Sequence, residues 1–440
     1  MDILTEIQDV LLGLWWVWLT FMFGWMFVSL WMAWRQALFK SKIVWTVLDI
    51  KLPREAKRGP KVMEQIMMNI WALRNTPGNM YEWYWDGETT QWYSFEIVSF
   101  GGDIHFYLRI PARYINIIKA NFYGHYPDCE VEEVEDYLNR LPKSVPDLYR
   151  NGYEIFGLEM FLAKNNAYPV RTYLEFESDE ETQNIDPIAG LLEVLSKIQS
   201  DEVVMMQIVA RPASTNPPNK LVKLSEAEIK RLKEEAIKKA PKKGAILDFE
   251  DTIGAISSRT PGETETMKAI ERKATKNYFE TVVRYVYLAP KEGFNIVLPY
   301  RGLRIAFQQF SIPNSNHFDV NYQTWTRTWI WEYPYIFPKR RGAAHKARLW
   351  DNFRTRRLPQ GTFMGKLAQF HIFTSSFSQR LSLLNTEELA TLWHLPTEAV
   401  VTQPIMERIE AKKMGPPPNL PIFREGNREL PGIMKQHGGL

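Results

Sequence analysis

Cysteine is almost missing from this chain. Cys129 is the only one, which rules out an internal disulfide framework and fits a body kept in a reducing cytoplasm, with the thiol read as a small buried hydrophobe. A charge surplus is missing too: 54 Lys and Arg face 51 Asp and Glu over 440 residues, so no global field gathers nucleic acid or acidic partners and any basic function must be local. No phosphate-binding loop is present. The nearest stretch, Gly361 to Leu367, has too few residues between its glycines and a leucine where a magnesium-binding hydroxyl would stand, and Gly101-Gly102 reads as a turn. The seven histidines show no helical ligand spacing and there is no cysteine pair, so no metal is expected; His125 and His371 read as packed or surface residues. The acidic run Asp128, Glu130, Glu132, Glu133, Glu135 and Asp136 lacks the glycine and the spacing of a calcium loop and reads as a charged strand. No serine sits in a G-x-S-x-G elbow. The expectation is a chain with no catalytic residues, no metal and no cofactor, and not an enzyme.

The longest absence of charge is the strongest positive signal. From Val10 to Trp34 no residue is charged, and as a helix this run is long enough to cross a hydrocarbon core of about 30 Å. Trp15, Trp16 and Trp18 near one end and Trp31 and Trp34 near the other suit the two interfacial belts. Residues 1–9 carry Asp2, Glu6 and Asp9 where a secretory signal would be basic, so the run is read as a retained transmembrane helix, 10–34, behind an external leader. Arg35, Lys40 and Lys42 follow it directly, which puts the body in the cytoplasm, the N-terminus outside, and the chain in the inner membrane as a single-pass protein.

The body reads as α+β. Ile43 to Leu52 predicts a strand. Pro60 opens a helix with a stripe of Met63, Ile66, Met67, Ile70 and Leu73. Trp92 to Ile110 predicts a hairpin turning at Gly101-Gly102-Asp103, with Phe95 and Ile97 alternating with Glu96. A second helix after Pro111 and an extended run after Tyr126-Pro127-Asp128 complete a split βαβ, or ferredoxin-like, unit over 43–150. The same order is expected to recur over 165–335: a strand at Tyr168 to Glu177, a helix from Asp186-Pro187, strands at Glu202 to Ala210 and Thr281 to Leu288, a helix carrying Leu303, Ala306, Phe307 and Phe310, and a last strand or pair between His317 and Trp331. Two tandem ferredoxin-like units are therefore expected, the second interrupted by an insertion at 212–265. There Ser225-Glu226-Ala227-Glu228 predicts a capped, charged helix to about Lys239, read as a solvated arm or as a contact for a neighbouring subunit.

From Pro338 the chain turns basic. Lys339, Arg340, Arg341, Lys346, Arg348, Arg354, Arg356 and Arg357 are opposed only by Asp351, and form the candidate contacts for phosphate, whether of nucleic acid or of lipid headgroups; the plainer alternative is a solvated or partner-facing helix. The basic helical segment is placed at 338–400, with a short helix at Thr386 to Leu395. A Pro-rich linker and polar tail occupy 412–440.

Five stretches carry a family resemblance: FEIVSFGGDIHFYLRIP from Phe95, YPDCEVEEVEDY from Tyr126, DPIAGLLEVL from Asp186, TPGETETMKAIERKATKNYFETVVRYVYLA from Thr260 and LNTEELATLWHLP from Leu384. Together they resemble the membrane-anchored region preceding the motor in type IV secretion and conjugation ATPases of the FtsK/HerA class, especially versions from small-genome, uncultured bacteria. The resemblance implies a homo-oligomeric ring and a P-loop motor. This sequence holds no Walker A or Walker B counterpart, so the expectation is a non-catalytic assembly or docking subunit of a secretion- or conjugation-like apparatus, with an FtsK/HerA-type ATPase acting in trans. The alternative is a membrane-tethered nucleic-acid-binding protein that uses the basic stretch. No RNP-type aromatic-glycine motif supports an RNA version.

Overall fold

The computed structural model describes residues 13, 15–51, 58–176, 186–213, 219–239, 261–333, 335, 337–359 and 371–397. The leader 1–9, positions 10–12 and 14 of the span, the middle of the insertion, the stretch 361–367 and the Pro-rich linker and tail at 412–440 lie outside the described residues.

Helix α1 (Trp15–Ser41) is 27 residues long and buries only Met32. An uncharged run of Leu, Phe, Met and Trp satisfies its own backbone as a helix, and its side chains point outward all round. With a mean hydropathy of 1.5 over 18 residues, it is long and apolar enough to cross a membrane. A short link leads into β1 (Trp45–Lys51), and then come α2 (Pro60–Ala72), β2 (Tyr93–Phe100), β3 (Asp103–Pro111), α3 (Ile115–His125) and β4 (Glu130–Val134). After α4 (Val145–Arg150) follow β5 (Tyr153–Leu162), α5 (Ala189–Ser196), β6 (Val203–Pro212), α6 (Lys220–Lys239), α7 (Pro261–Thr275), β7 (Tyr278–Pro290), α8 (Leu303–Gln308) and β8 (Phe318–Val320). Helix α9 (Pro338–Thr355), β9 (Ser382–Asn385) and α10 (Thr386–Leu392) end the described chain.

The strands form one nine-stranded sheet in the order β4-β1-β3-β2-β6-β7-β5-β8, with β9 paired to β7. Every pairing is antiparallel. β2 joins β6 along eight residues, from Tyr93 opposite Ala210 to Phe100 opposite Val203, so the two halves share one continuous ladder. The β2–β3 turn depends on Gly101 and Gly102, at φ +60 and +98. A Cβ on Gly101 would also meet the Ser200 carbonyl oxygen at 2.7 Å, so both conformation and space demand glycine there.

Helices cover both faces. On one, Met63, Ile66 and Ile70 of α2, Ile118 of α3, Leu191 of α5, Leu303 of α8 and Leu389 of α10 pack into a single core with Phe95, Phe106, Ile208 and Val283 of the sheet. Trp393 lies against Phe95 and Phe106, ring centroids 5.2 and 6.1 Å apart, and burying an aromatic of this kind contributes about 1.5–3 kcal/mol. On the other face, Leu349, Trp350 and Phe353 of α9 and Leu148 of α4 cover Val47, Val98, Met205 and Val286. Glu96, which alternation assigns to an outward face, is thus fully buried.

Several expectations need correction. Of the expected strand Tyr168 to Glu177, the described residues 168–176 form no strand: the chain is extended at Thr172 and then makes a 3-10 turn at Tyr173–Glu175. Its amides bind side chains of the α10 region instead of a ladder, Val170 N–H donating to Glu388 and Tyr173 N–H to Thr391 Oγ1, each at 3.0 Å. The strand at that point of the sheet is β5, fifteen positions earlier by its first residue, Tyr153 against Tyr168. Between His317 and Trp331 only Phe318–Val320 is strand; beyond it, the hydroxyls of Thr324 and Thr326 accept from the β5 amides of Glu159 and Gly157. Within the insertion, the described helix α6 is not a solvated arm. α6 begins at Lys220, with Asn219 Oδ1 accepting from the Leu221 and Val222 amides, and Ser225 is buried inside the helix, so the capping box at Ser225 fails. Ile229 and Leu232 pack on Ala167, Tyr168 and Ile270 of the same chain. Finally, 338–400 is not helical throughout, since β9 interrupts it.

Candidate functional site: the anchor foot and the buried charge row

At the N-terminal end of α1, Trp15, Trp16 and Trp18 are more than half exposed. Trp31, one helical level from Trp34, lies with its ring 5.3 Å from that of Trp34 and tilted to it, and the Arg35 guanidinium lies over both rings at 5.8 and 5.7 Å. The body reaches up to this level. Trp31 Nε1 donates to the Tyr84 carbonyl at 2.9 Å, and its ring lies 5.6 Å from that of Trp85. Tyr84 and Trp85 belong to a π-helical turn, Glu82–Asp86, which ends at Gly87 with φ +67. Gly87 presses against the Arg35 backbone so closely that any Cβ would overlap it, so the helix is seated on the body and does not hang from a tether. The sequence reading named the six anchor residues but missed Met80 to Trp85, although the run M-Y-E-W-Y-W was the available signal.

The eight basic candidates of α9 and its end do not form one surface. Arg341 is fully buried, its Nη1 donating to the Glu332 carbonyl at 2.9 Å with the Glu332 carboxylate 3.4 Å from Nη2. Lys346 pairs with Glu154 at 2.7 Å and donates to the Tyr149 hydroxyl. Arg354 donates to the carbonyls of Leu138, Leu141 and Pro142. Arg356, 1% exposed, forks onto Glu96 and Asp136 at 2.6 and 2.5 Å. Arg341 and Arg356 are therefore corrected from phosphate contacts to structural ties, because a buried guanidinium persists only with carboxylates and carbonyls around it. Arg348 is half-buried beside Phe377, and Arg357 faces Asp351 at 3.5 Å on the surface. Lys339 and Arg340 are exposed, Arg340 lying 5.3 Å from the Phe337 ring. A groove of about 520 Å³, bordered by Trp329, Trp331, Lys339 and Lys346, opens at this end of α9.

Arg356 is the end of a polar row crossing the joint between the halves. Glu96 stands opposite Gln207, Gln207 opposite Arg284, and Arg284 opposite Glu159, on the neighbouring strands β2, β6, β7 and β5. Gln207 donates to Glu96 at 3.1 Å and Arg284 to Glu159 at 2.9 Å. The row is closed by α9, whose Asn352 and Phe353 carbonyls accept from Arg284 and Gln207 at 3.3 and 3.1 Å. Burial disfavours the ionised Asp136, yet the hydrogen bonds and charge of Arg356 hold its carboxyl below the usual range. Arg356 itself has φ +50, a left-handed conformation unfavourable for any residue with a Cβ, and it is held there by these contacts.

A second polar cluster unites three of the stretches that carry the resemblance. Lys273 of α7 meets Glu388 of α10 at 3.1 Å with neither side chain exposed, and Lys276 meets both Glu387 and Glu64 at 2.6 Å. Asp186 accepts from the Thr397 and Ile188 amides and lies 3.0 Å from His394. Burial pushes the Lys273 ammonium down and the Glu388 carboxyl up, each against the pull of its partner. Asn385 and Glu388 form a capping box on α10, so these carboxylates hold backbone and cations in place. A groove of about 250 Å³ bordered by Thr172, Glu175, Lys268 and Arg272 adjoins them.

Among the described residues, no group of three or more His, Cys, Asp and Glu is placed to hold a metal ion. Cys129 is buried, and burial pushes its thiol up to about 12, far from a reactive thiolate. These features define a mixed α/β protein with an apolar N-terminal helix and one antiparallel sheet. Residues 37–297 match the family described as a domain of unknown function (DUF8128), and the chain belongs to that family. No curated protein matches it.

Proposed function

We propose that this protein is a non-catalytic, membrane-anchored docking subunit of a type IV secretion- or conjugation-like apparatus, with its body in the cytoplasm and a separate FtsK/HerA-class motor acting in trans. The observation that carries the reading is the seat of α1 on the body: Trp31 bonded to Tyr84 and Gly87 pressed on Arg35 give the sheet a fixed attitude to the anchor, which suits a platform and is not needed for a tethered enzyme. The body is read as two tandem ferredoxin-like units. In support, β4-β1-β3-β2 and β8-β5-β7-β6 follow the same order in each half, with α2 and α5 after the first strands and α3 and α8 after the third. A homo-oligomer is part of the proposal. Nucleic-acid binding through α9 is the weaker reading, since Arg341, Arg354 and Arg356 already hold partners within the chain.

The test is affinity purification of the full chain from gently solubilised native membranes, followed by mass spectrometry. A P-loop motor recovered at near-stoichiometric amounts is expected. Recovery of other envelope proteins without any motor would contradict the proposal.

A further inference from the structure

Five large apolar side chains stand exposed within six residues beside the anchor. Met80 is 75% exposed, Tyr81 63%, Trp83 54%, Tyr84 44% and Trp85 55%. Such a density of aromatic surface is costly in water and rare on a monomer unless something covers it. What covers it follows from its level on α1. At about 1.5 Å per residue, Trp15 to Trp34 spans about 30 Å, so the body-side boundary of a hydrocarbon core falls near Trp31 to Arg35. The segment meets α1 at that same level, through Trp31 with Tyr84 and Trp85 and through Arg35 with Gly87. Its chemistry is that of an interfacial belt: tryptophan and tyrosine, amphipathic rings that settle between headgroup and acyl chain. The one acidic residue inside it, Glu82, is half-buried and engaged within the segment's own loop, accepting from the Gly78 amide at 2.7 Å and from Asn79 Nδ2 at 2.9 Å.

We infer that Met80 to Trp85 is a second membrane contact, an aromatic wedge lying in the headgroup–acyl boundary next to the anchor, whose partner is the lipid bilayer itself. The inference rests on the reading of α1 as a membrane span. Two contacts with one bilayer, a span and a wedge, fix the rotation and tilt of the body where a span alone would leave it free to turn.

The test uses the full chain in lipid nanodiscs, with Cys129→Ala removing the native thiol and a nitroxide placed on Trp83→Cys, or independently on Tyr81→Cys. Phe23→Cys reports on the middle of the span and Arg150→Cys on water. Collision with oxygen is compared with collision with a nickel chelate. The expected result is a shift towards oxygen at 81 and 83, intermediate between the values at 23 and 150. A lipid-like value at 23 with a water-like value at 81 and 83 would overturn the wedge and leave the anchor standing. Low collision with both reagents at 81 and 83 would mean a protein partner, a second copy included, and would equally overturn it. A water-like value at 23 would remove the anchor reading and the wedge with it.

Discussion

Helix α1 has no charged side chain from Trp15 to Trp34 and stands almost wholly exposed, whereas α9, with five Lys and Arg among its first eleven residues, buries Arg341, His345, Leu349, Trp350 and Phe353 against the sheet. Composition alone would have placed them the other way round. The difference lies in what each finds within the chain. α9 meets acceptors at matched positions, namely Glu96, Asp136, Glu154 and a set of carbonyls, and these offset the desolvation of its cations. α1 meets almost nothing apart from the turn below Trp31, and its apolar surface is satisfied only by a medium as apolar as itself.

The largest effect should come from removing a tie of α9. Arg356→Met leaves Glu96 and Asp136 without their cation, and a loss of about 3–5 kcal/mol is expected in denaturant unfolding of the full chain; Arg356→Met combined with Glu96→Gln should recover part of it. For α1, Phe23→Arg places a charge mid-span at a cost of about 2.5–3.5 kcal/mol, and should lower the membrane-inserted fraction without changing unfolding of the body. Gly101→Ala forces a left-handed turn on an L side chain against Ser200, and should cost about 1–3 kcal/mol.

pH should divide the two halves of the sheet. Burial disfavours the Asp186 carboxylate, but His394 and the Thr397 and Ile188 amides outweigh it and hold its pKa low. Its contribution is therefore present above the ordinary aspartate value of about 4 and lost as pH falls through the lower native value. His105 is raised, chiefly by its hydrogen bond to Asp49 and by the charges of Asp49 and Asp103, against burial. That contribution is present below about 6.5 and lost as pH rises through the higher native value. In thermal unfolding against pH, Asp186→Asn should flatten the acid limb and His105→Gln the decline on the neutral side. The smallest effect belongs to the exposed end of α9: Lys339→Ala with Arg340→Ala should change stability by no more than about 0.5 kcal/mol.

Much of the first half was legible because short-range rules decide it. The stripe Met63, Ile66, Met67 and Ile70 is buried as its spacing requires, and Gly101-Gly102 makes the turn that two positive φ values demand. The alternation around Glu96 says which residues share a face, not whether that face is wet; here α9 and Arg356 just past it return from more than two hundred residues later to cover it. The same blindness to distant partners turned Arg341 and Arg356 into surface cations. In the second half, Val170, Thr172 and Phe176 imitate a strand, while the amides of Val170 and Tyr173 are held by Glu388 and Thr391, groups that no local pattern announces. The wedge at Met80 to Trp85 was overlooked for a similar reason, as its meaning depends on standing beside α1.

The most direct test of the anchor is alkaline carbonate extraction of native membranes containing the full chain. Retention in the membrane pellet is the expected result, with Phe23→Arg partly released. Complete release of the unaltered protein into the supernatant would contradict a membrane-spanning α1 and the platform built on it.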